Sequence, residues 1–219
     1  RDLSPTPFAT RRSSGLAFHS HGAKVFICGT NEERLKKCLD LHPDWSGIIC
    51  DVRDEKAVIK FVEAAVEAMG GLDVVVNNAG IAGPTAKLED CSFEDWKKTV
   101  DVNLNGVFLV SRSSIPYLRE SKGSVIHISS VAGRIGFALR SPYCSSKFAL
   151  QGLTESMSKE LGPDGIRVNS LLPGFVESER WRNTTKARAQ ELGISYEEMR
   201  AQLLEKSSLK STVSEEEIA

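Results

Sequence analysis

The residues best able to do chemistry are a tyrosine and a lysine four positions apart, Tyr143 and Lys147, with Ser130 thirteen positions before the tyrosine. A free phenol titrates near 10 and is a poor proton carrier at neutral pH. On a helix, a four-residue spacing places the ammonium one turn from the phenol. At about 4 Å and an effective dielectric of about 20, the cation favours the phenolate by roughly 4 kcal/mol. The positive end of a helix pushes the same way. Ser130, at the end of a preceding strand, can hydrogen-bond the same substrate oxygen. Such a set can move a proton to or from that oxygen near pH 7. Tyr-x-x-x-Lys is also the pattern of an ordinary exposed helix pair, so its weight rests on the segments around it.

These side chains need a helix and a sheet to hold them. Ser141 reads as an N-cap and Pro142 as a first helical residue. Ala149, Leu153, Met157 and Leu161 then repeat every four residues as a buried stripe, predicting a helix over Pro142–Leu161. Further helical patterns cover Glu32–Leu41, Glu55–Met69 and Phe93–Arg119. Between them lie short apolar runs at Val25–Cys28, Ile48–Cys50, Leu72–Val76, Val125–Ile128 and Ile166–Leu172. Their unbroken apolar character suits strands covered on both faces. The alternation predicts an α/β chain: one doubly wound, Rossmann-like parallel sheet with helices on both faces, as a single domain over 1–219. A first strand is expected near residues 1–10, although Pro5 and Pro7 are poor guests in a central strand. Residues 179–212 read as two short helices broken near Gly193, an insertion suited to a substrate lid.

Composition narrows the function. Apolar residues make up 41% and charged residues 26% of the 219, values that exclude a disordered or coiled-coil chain. Lys and Arg total 28 against 29 Asp and Glu, so no charge excess favours nucleic acid or an anionic membrane. No run reaches membrane-spanning length and no cleavable leader is visible. The five cysteines form no C-x-x-C pair, which predicts reduced thiols, no metal site and a cytoplasmic protein. His127, on a strand, reads as a core residue.

Three more segments bear on the site. The strand Leu72–Val76 ends in Asn77-Asn78-Ala79-Gly80, small residues that let a ligand approach the backbone where open α/β sheets bind ligands. Asn103 lies inside a long helical pattern, where an asparagine can disturb helical bonding and hold a water. Pro173-Gly174-Phe175-Val176 must leave the sheet sharply. With these segments in this order, N-N-A-G, V-N-L-x-G, I-S-S-V-A-G, Y-x-x-x-K and P-G, the sequence over about 20–178 resembles the short-chain dehydrogenase/reductase family.

That resemblance implies an NAD(P)-dependent oxidoreductase acting on CH–OH groups, interconverting a small-molecule ketone or aldehyde and its alcohol. Tyr143 would be the general acid/base and Ser130 would orient the substrate oxygen. Lys147 would lower the phenol's pKa and hold the nicotinamide ribose, and Asn103 would hold a relay water. Asn78, Ala79 and Gly80 would line the cofactor ribose. Pro173, Gly174 and Val176 would approach the nicotinamide, and Asp51 with Val52 the adenine. The family's helices corresponding to 96–120 and 142–161 pair subunits, implying a homo-oligomer, a dimer or a tetramer.

The first turn departs from the family. Its T-G-x-x-x-G-x-G matches only Thr10-Arg11-Arg12-Ser13-Ser14-Gly15, leaving Ser14 and Gly15 as the expected pyrophosphate contacts and Arg11 at a glycine position. The family's last strand and glycine-rich tail are also expected to be missing after Ser214–Ala219. These departures keep an alternative open: a catalytically inactive relative serving as a structural or ligand-sensing module. Gly29 stands where NAD enzymes carry an acidic residue, and Thr30 and Arg34 follow it, which favours NADP(H) while leaving NAD(H) open. Arg11 or Arg12 would help with a 2′-phosphate. Phe137 and Trp181 are expected as apolar walls of the substrate pocket. Arg134, Arg140 or Arg182 would meet an anionic group.

Overall fold

The computed structural model describes the backbone of residues 9–218 and the side chains from Ser14 to Ile218. Helix α1 (Ala9–Ser20) leads into strand β1 (Phe26–Gly29), α2 (Glu32–Leu41), β2 (Ser46–Ile49), α3 (Glu55–Met69) and β3 (Val74–Asn77). Then come α4 (Phe93–Val100), α5 (Gly106–Ser121), β4 (Ser124–Ile128), α6 (Ser141–Leu161), β5 (Arg167–Leu171), α7 (Glu179–Leu192) and α8 (Tyr196–Leu204). The expected first strand lies outside the described residues, as do the side chains of Arg11 and Arg12.

All strand pairings are parallel, as the continuous apolar runs imply. Among the described residues they form two groups, β1–β2 and β3–β4–β5. A cavity of about 590 Å3 is lined by Phe26, Cys28, Val62, Val75 and Val110. The helices start where the sequence offers a cap. Asn31 accepts from the Arg34 amide, Asp54 from Lys56 and Ala57, and Ser178 from Trp181. At Ser195 the cap is reciprocal with Glu198. Helix α6 begins one residue earlier than expected: Ser141 is already helical, and Arg140 stands at the cap position without a side-chain bond.

The core gathers Val58, Val62, Leu118, Val125, Leu161 and Ile166 between the strands and helices α3, α5 and α6. Each such side chain contributes about 1.5–3 kcal/mol by leaving water. A polar thread runs through the same interior. Asn77 Nδ2 donates to Ser111 Oγ at 3.0 Å, and Ser111 Oγ lies 3.4 Å from His127 Nε2. His127 Nδ1 lies 2.9 Å from Thr154 Oγ1, which donates to the Leu150 carbonyl at 2.6 Å. Each hydroxyl has one proton, so the donors run in one direction and the imidazole is neutral with its hydrogen on Nδ1. Burial, and secondarily the Lys147 cation, push His127 down to about 4. The reading of His127 as a core residue is thus met: the ring is fully buried.

The pattern over Phe93–Arg119 is interrupted. Residues Asp101–Asn105 form a wide π-helical turn between α4 and α5, with Asn103 fully buried inside it. Such single π turns occur mostly where a side chain has a task that regular helix cannot meet.

Candidate active site

The carboxyl ends of β3, β4 and β5 open onto a cleft of about 200 Å3 lined by Asn78, Ser130, Tyr143, Pro173–Val176 and residues of α7. Helix α6 crosses beneath it. Ser129, next after β4, donates its hydroxyl to the Lys147 carbonyl at 3.2 Å and accepts from Gln151 Nε2 at 2.8 Å. These bonds fix α6 against the strand end. Lys147, 5% exposed, donates Nζ to the Ile128 carbonyl at 2.8 Å, and that nitrogen is 5.8 Å from the centre of the Tyr143 ring.

Burial by itself would raise the Tyr143 phenol. The Lys147 cation, then Arg180, the Ser130 hydroxyl and Arg140, outweigh it and hold the phenol below its ordinary value. Lys147 is itself held below the usual lysine range, first by burial and then by Arg180, against the opposing pull of the phenol. Ser130, Tyr143 and Lys147 therefore come together as their spacing predicts, with the cleft on the phenol side.

The Asn103 carboxamide bonds within the protein. Its Oδ1 accepts from the Ile81 amide at 2.8 Å, and its Nδ2 donates to the Ile81 carbonyl at 3.0 Å and to Ser146 Oγ at 3.1 Å. Both amide hydrogens are used, so this side chain clamps the loop after β3 to α6 and has no free donor for a water.

The nicotinamide end of a dinucleotide fits the residues present. A Cβ added at Gly80 would lie 3.2 Å from Asn103 Oδ1, a tight contact, and 3.7 Å from Lys147 Nζ, so this backbone passes close to both side chains. Asn78 and Ala79 adjoin it, Pro173 is tied by its carbonyl to the Val131 amide, and Val176 pairs with Val213. The adenine end is less complete. No glycine-rich turn exists among the described residues: Gly15 lies within α1, where a Cβ would meet the Trp45 ring at 2.6 Å. The glycine allows helix packing against that indole, and it also lines the larger cavity together with Gly29 and Asn78. Ser14 does border the cleft, and Thr30 borders the larger cavity. Asp51 is held by Arg53 at 2.6 Å, and Val52 is buried against Gly106.

Helix α7 supplies one wall of the cleft. Arg180 of α7 donates to the Gly80 carbonyl, and Phe137, Phe175 and Trp181 form the facing apolar wall. Of the arginines expected near an anion, Arg134 is exposed and Arg182 is paired with Glu177 at 2.8 Å; only Arg140 lines the cleft. Arg180 and Arg188 line it too and were not singled out in the sequence. The signal for them is the four-residue repeat Arg180, Thr184, Arg188, a single stripe of α7. Among the described residues no helix is long and apolar enough to cross a membrane, and no His, Cys, Asp and Glu cluster could hold a metal.

Comparison with known proteins agrees with this architecture. The family model for short chain dehydrogenase matches residues 13–189. Trans-4-hydroxycyclohexanecarboxylate dehydrogenase of Sinomonas cyclohexanicum is 43% identical over 128 residues, which is 58% of this chain and 49% of that one. The chain spans about half the length of several curated relatives that it matches. Among solved structures, NAD+-bound xylitol dehydrogenase superposes with a TM-score of 0.90 at 25% identity, covering 96% of this chain and 85% of that one. An actinorhodin polyketide ketoreductase with NADPH gives 0.86 at 29% identity, covering 96% and 81%. The order of the motifs, the parallel strands behind them and the match over most of the length lead to one assignment: the chain belongs to the short-chain dehydrogenase/reductase family.

Proposed function

We propose that this chain interconverts a ketone or aldehyde and its alcohol with a nicotinamide cofactor, and that Tyr143 is the general acid/base. The observation that carries the reading is the placement of Ser130, Tyr143 and Arg180 around one cleft, with the Lys147 ammonium 5.8 Å from the centre of the phenol ring. The bound cofactor supplies or accepts the hydride. Ser130 and Tyr143 hold the substrate oxygen between two hydroxyls, and Tyr143 gives up its proton as negative charge develops there. In the oxidative direction the phenolate, stabilised by Lys147, takes that proton back. Asn78–Gly80, Lys147 and Pro173–Val176 hold the ribose and nicotinamide. Helices α7 and α8, within 179–212, act as the lid that keeps water from the reacting atoms.

NADP(H) is favoured over NAD(H). Gly29 presents no carboxylate to repel a 2′-phosphate, and Thr30 and Arg34 border the cavity beside it. Phe108 of α5 and Phe148 of α6 are 45% and 46% exposed, which supports pairing of these helices with a second copy in a homo-oligomer. Light scattering that shows only the monomer mass would refute that. The thiols of Cys28, Cys38, Cys50, Cys91 and Cys144, none of them in a disulfide, support a reducing, cytoplasmic setting.

Replacing Tyr143 by Phe tests the main reading. Turnover of carbonyl substrates falls about 10²–10⁴-fold, the share a positioned acid supplies, while cofactor binding followed by nucleotide fluorescence persists. Unchanged turnover defeats the assignment. One observation favours a second reading, an inactive ligand-sensing relative: the continuous helix α1 at the place of the glycine-rich turn. Absence of saturable NADPH or NADH binding at millimolar concentration would select it.

A further inference from the structure

The cleft beside Tyr143 has an electrostatic peculiarity. Arg140 and Arg188 are 6% and 7% exposed, and both line it. Arg140 Nη1, Arg188 Nε and Trp181 Nε1 are buried there without a hydrogen-bond partner. The Arg140 guanidinium lies 4.8 Å over the Tyr143 ring, and that of Arg188 lies 5.7 Å from the Phe137 ring. No Asp or Glu is among the described residues that line the cleft. Burial first, and then mutual repulsion with Arg188 and Arg180, bring Arg140 down to about 10, still cationic at neutral pH.

Buried charges are ordinarily paired, because leaving one unpaired costs several kcal/mol. Two unpaired guanidinium nitrogens and an indole N–H around one cavity form a donor set with no acceptor. The group that completes it carries negative charge and several oxygen acceptors, as an oxyanion does. Lysines would offer point charges; arginines offer a planar fork matched to such a group.

We propose that the substrate of this cleft carries an oxyanion, a carboxylate or a phosphate monoester, that docks on Arg140 and Arg188 while its carbonyl or alcohol lies at Tyr143. The inference rests on the reading of this cleft as the substrate site. The arginine over the phenol ring then has a double use: it anchors the substrate at a fixed distance from the reacting oxygen, and it contributes to lowering the phenol's pKa.

Binding of non-reacting probes to the full chain tests this apart from turnover. Calorimetric titration compares benzoate, its neutral isostere benzamide, and phenyl phosphate. Hydrogen bonds to charged groups contribute about 1.5–3 kcal/mol, so benzoate or phenyl phosphate binds at least about tenfold more tightly than benzamide. The tighter of the two anions identifies the source of the oxyanion. In Arg140→Met and Arg188→Met the preference falls to near unity. These variants remove an unpaired buried charge, and Arg140→Lys, which keeps charge and loses the fork, gives a smaller preference if a Met variant does not fold. Equal binding of benzamide and both anions overturns the proposal, as does a preference that survives in Arg140→Met and Arg188→Met. Turnover of cyclohexanone without any anion preference would overturn this inference alone. Anion-selective binding with no turnover of any carbonyl would uphold it and defeat the reaction proposed above.

Discussion

Replacing Asn103 by Leu separates a clamp from a proton relay. The carboxamide makes three hydrogen bonds: two to the backbone of Ile81 and one to Ser146. Leucine keeps the approximate volume and removes all three. Ser146 retains its own bond to the Tyr143 carbonyl at 2.8 Å, and Ile81 is partly exposed, so water recovers some of the loss. At about 1 kcal/mol net for each bond the variant loses roughly 3 kcal/mol. For a chain of this size that lowers Tm by about 6–12 °C. Ile81 follows Gly80, so the released loop also loosens Asn78–Gly80, and the KM for cofactor rises more than kcat falls. Urea melts read by tryptophan fluorescence, together with steady-state kinetics varied in cofactor, check both effects. A variant with wild-type stability and cofactor KM but a reduced kcat would refute the clamp and favour the water-relay role expected from sequence.

Two further outcomes concern pH. Because Tyr143 is held below the ordinary phenol value, kcat/KM for alcohol oxidation rises with pH through a limb below about 10. Carbonyl reduction, which needs the protonated phenol, falls through the same limb. Arg140→Met moves both limbs to higher pH, and a limb at or above the free-phenol value would contradict the site's electrostatics. His127 is lowered from 6.5 to about 4, so below 6.5 the unfolded chain binds the additional proton. Its contribution is therefore present above pH 6.5 and is lost as pH falls towards 4, to a limit of about 3 kcal/mol. Chemical melts across that window show a slope that His127→Gln flattens; equal slopes in both proteins would sink this account.

Much of this was legible in the sequence because it depends on local pattern. The strands appear as short apolar runs, and the Tyr143–Lys147 pair needs only helical spacing. The turn at 101–105 was not legible as such. An asparagine in a helical stretch signals a disturbance, but which bonds it makes depends on Ile81 and Ser146, distant in the chain. The packing of Gly15 against Trp45 was not legible, because a glycine serves close packing as well as tight turns and nothing in the sequence marks that indole as its neighbour. Arg188 escaped notice because a buried cation and a solvated one look alike until burial is known.

The thread from Asn77 through His127 to Thr154 has a consequence for aim. Thr154 lies seven residues beyond Lys147 on α6, about 10 Å along the axis at 1.5 Å per residue. Its bond to the imidazole keys that helix in rotation and axial slip from the dry half of the molecule. The angle at which the phenol meets its substrate is thus governed at a distance, by groups no substrate ever touches. Cleft-lining residues on α7 can be exchanged to reshape what is admitted without disturbing that alignment, whereas a single change at the imidazole shifts the helix that carries the phenol.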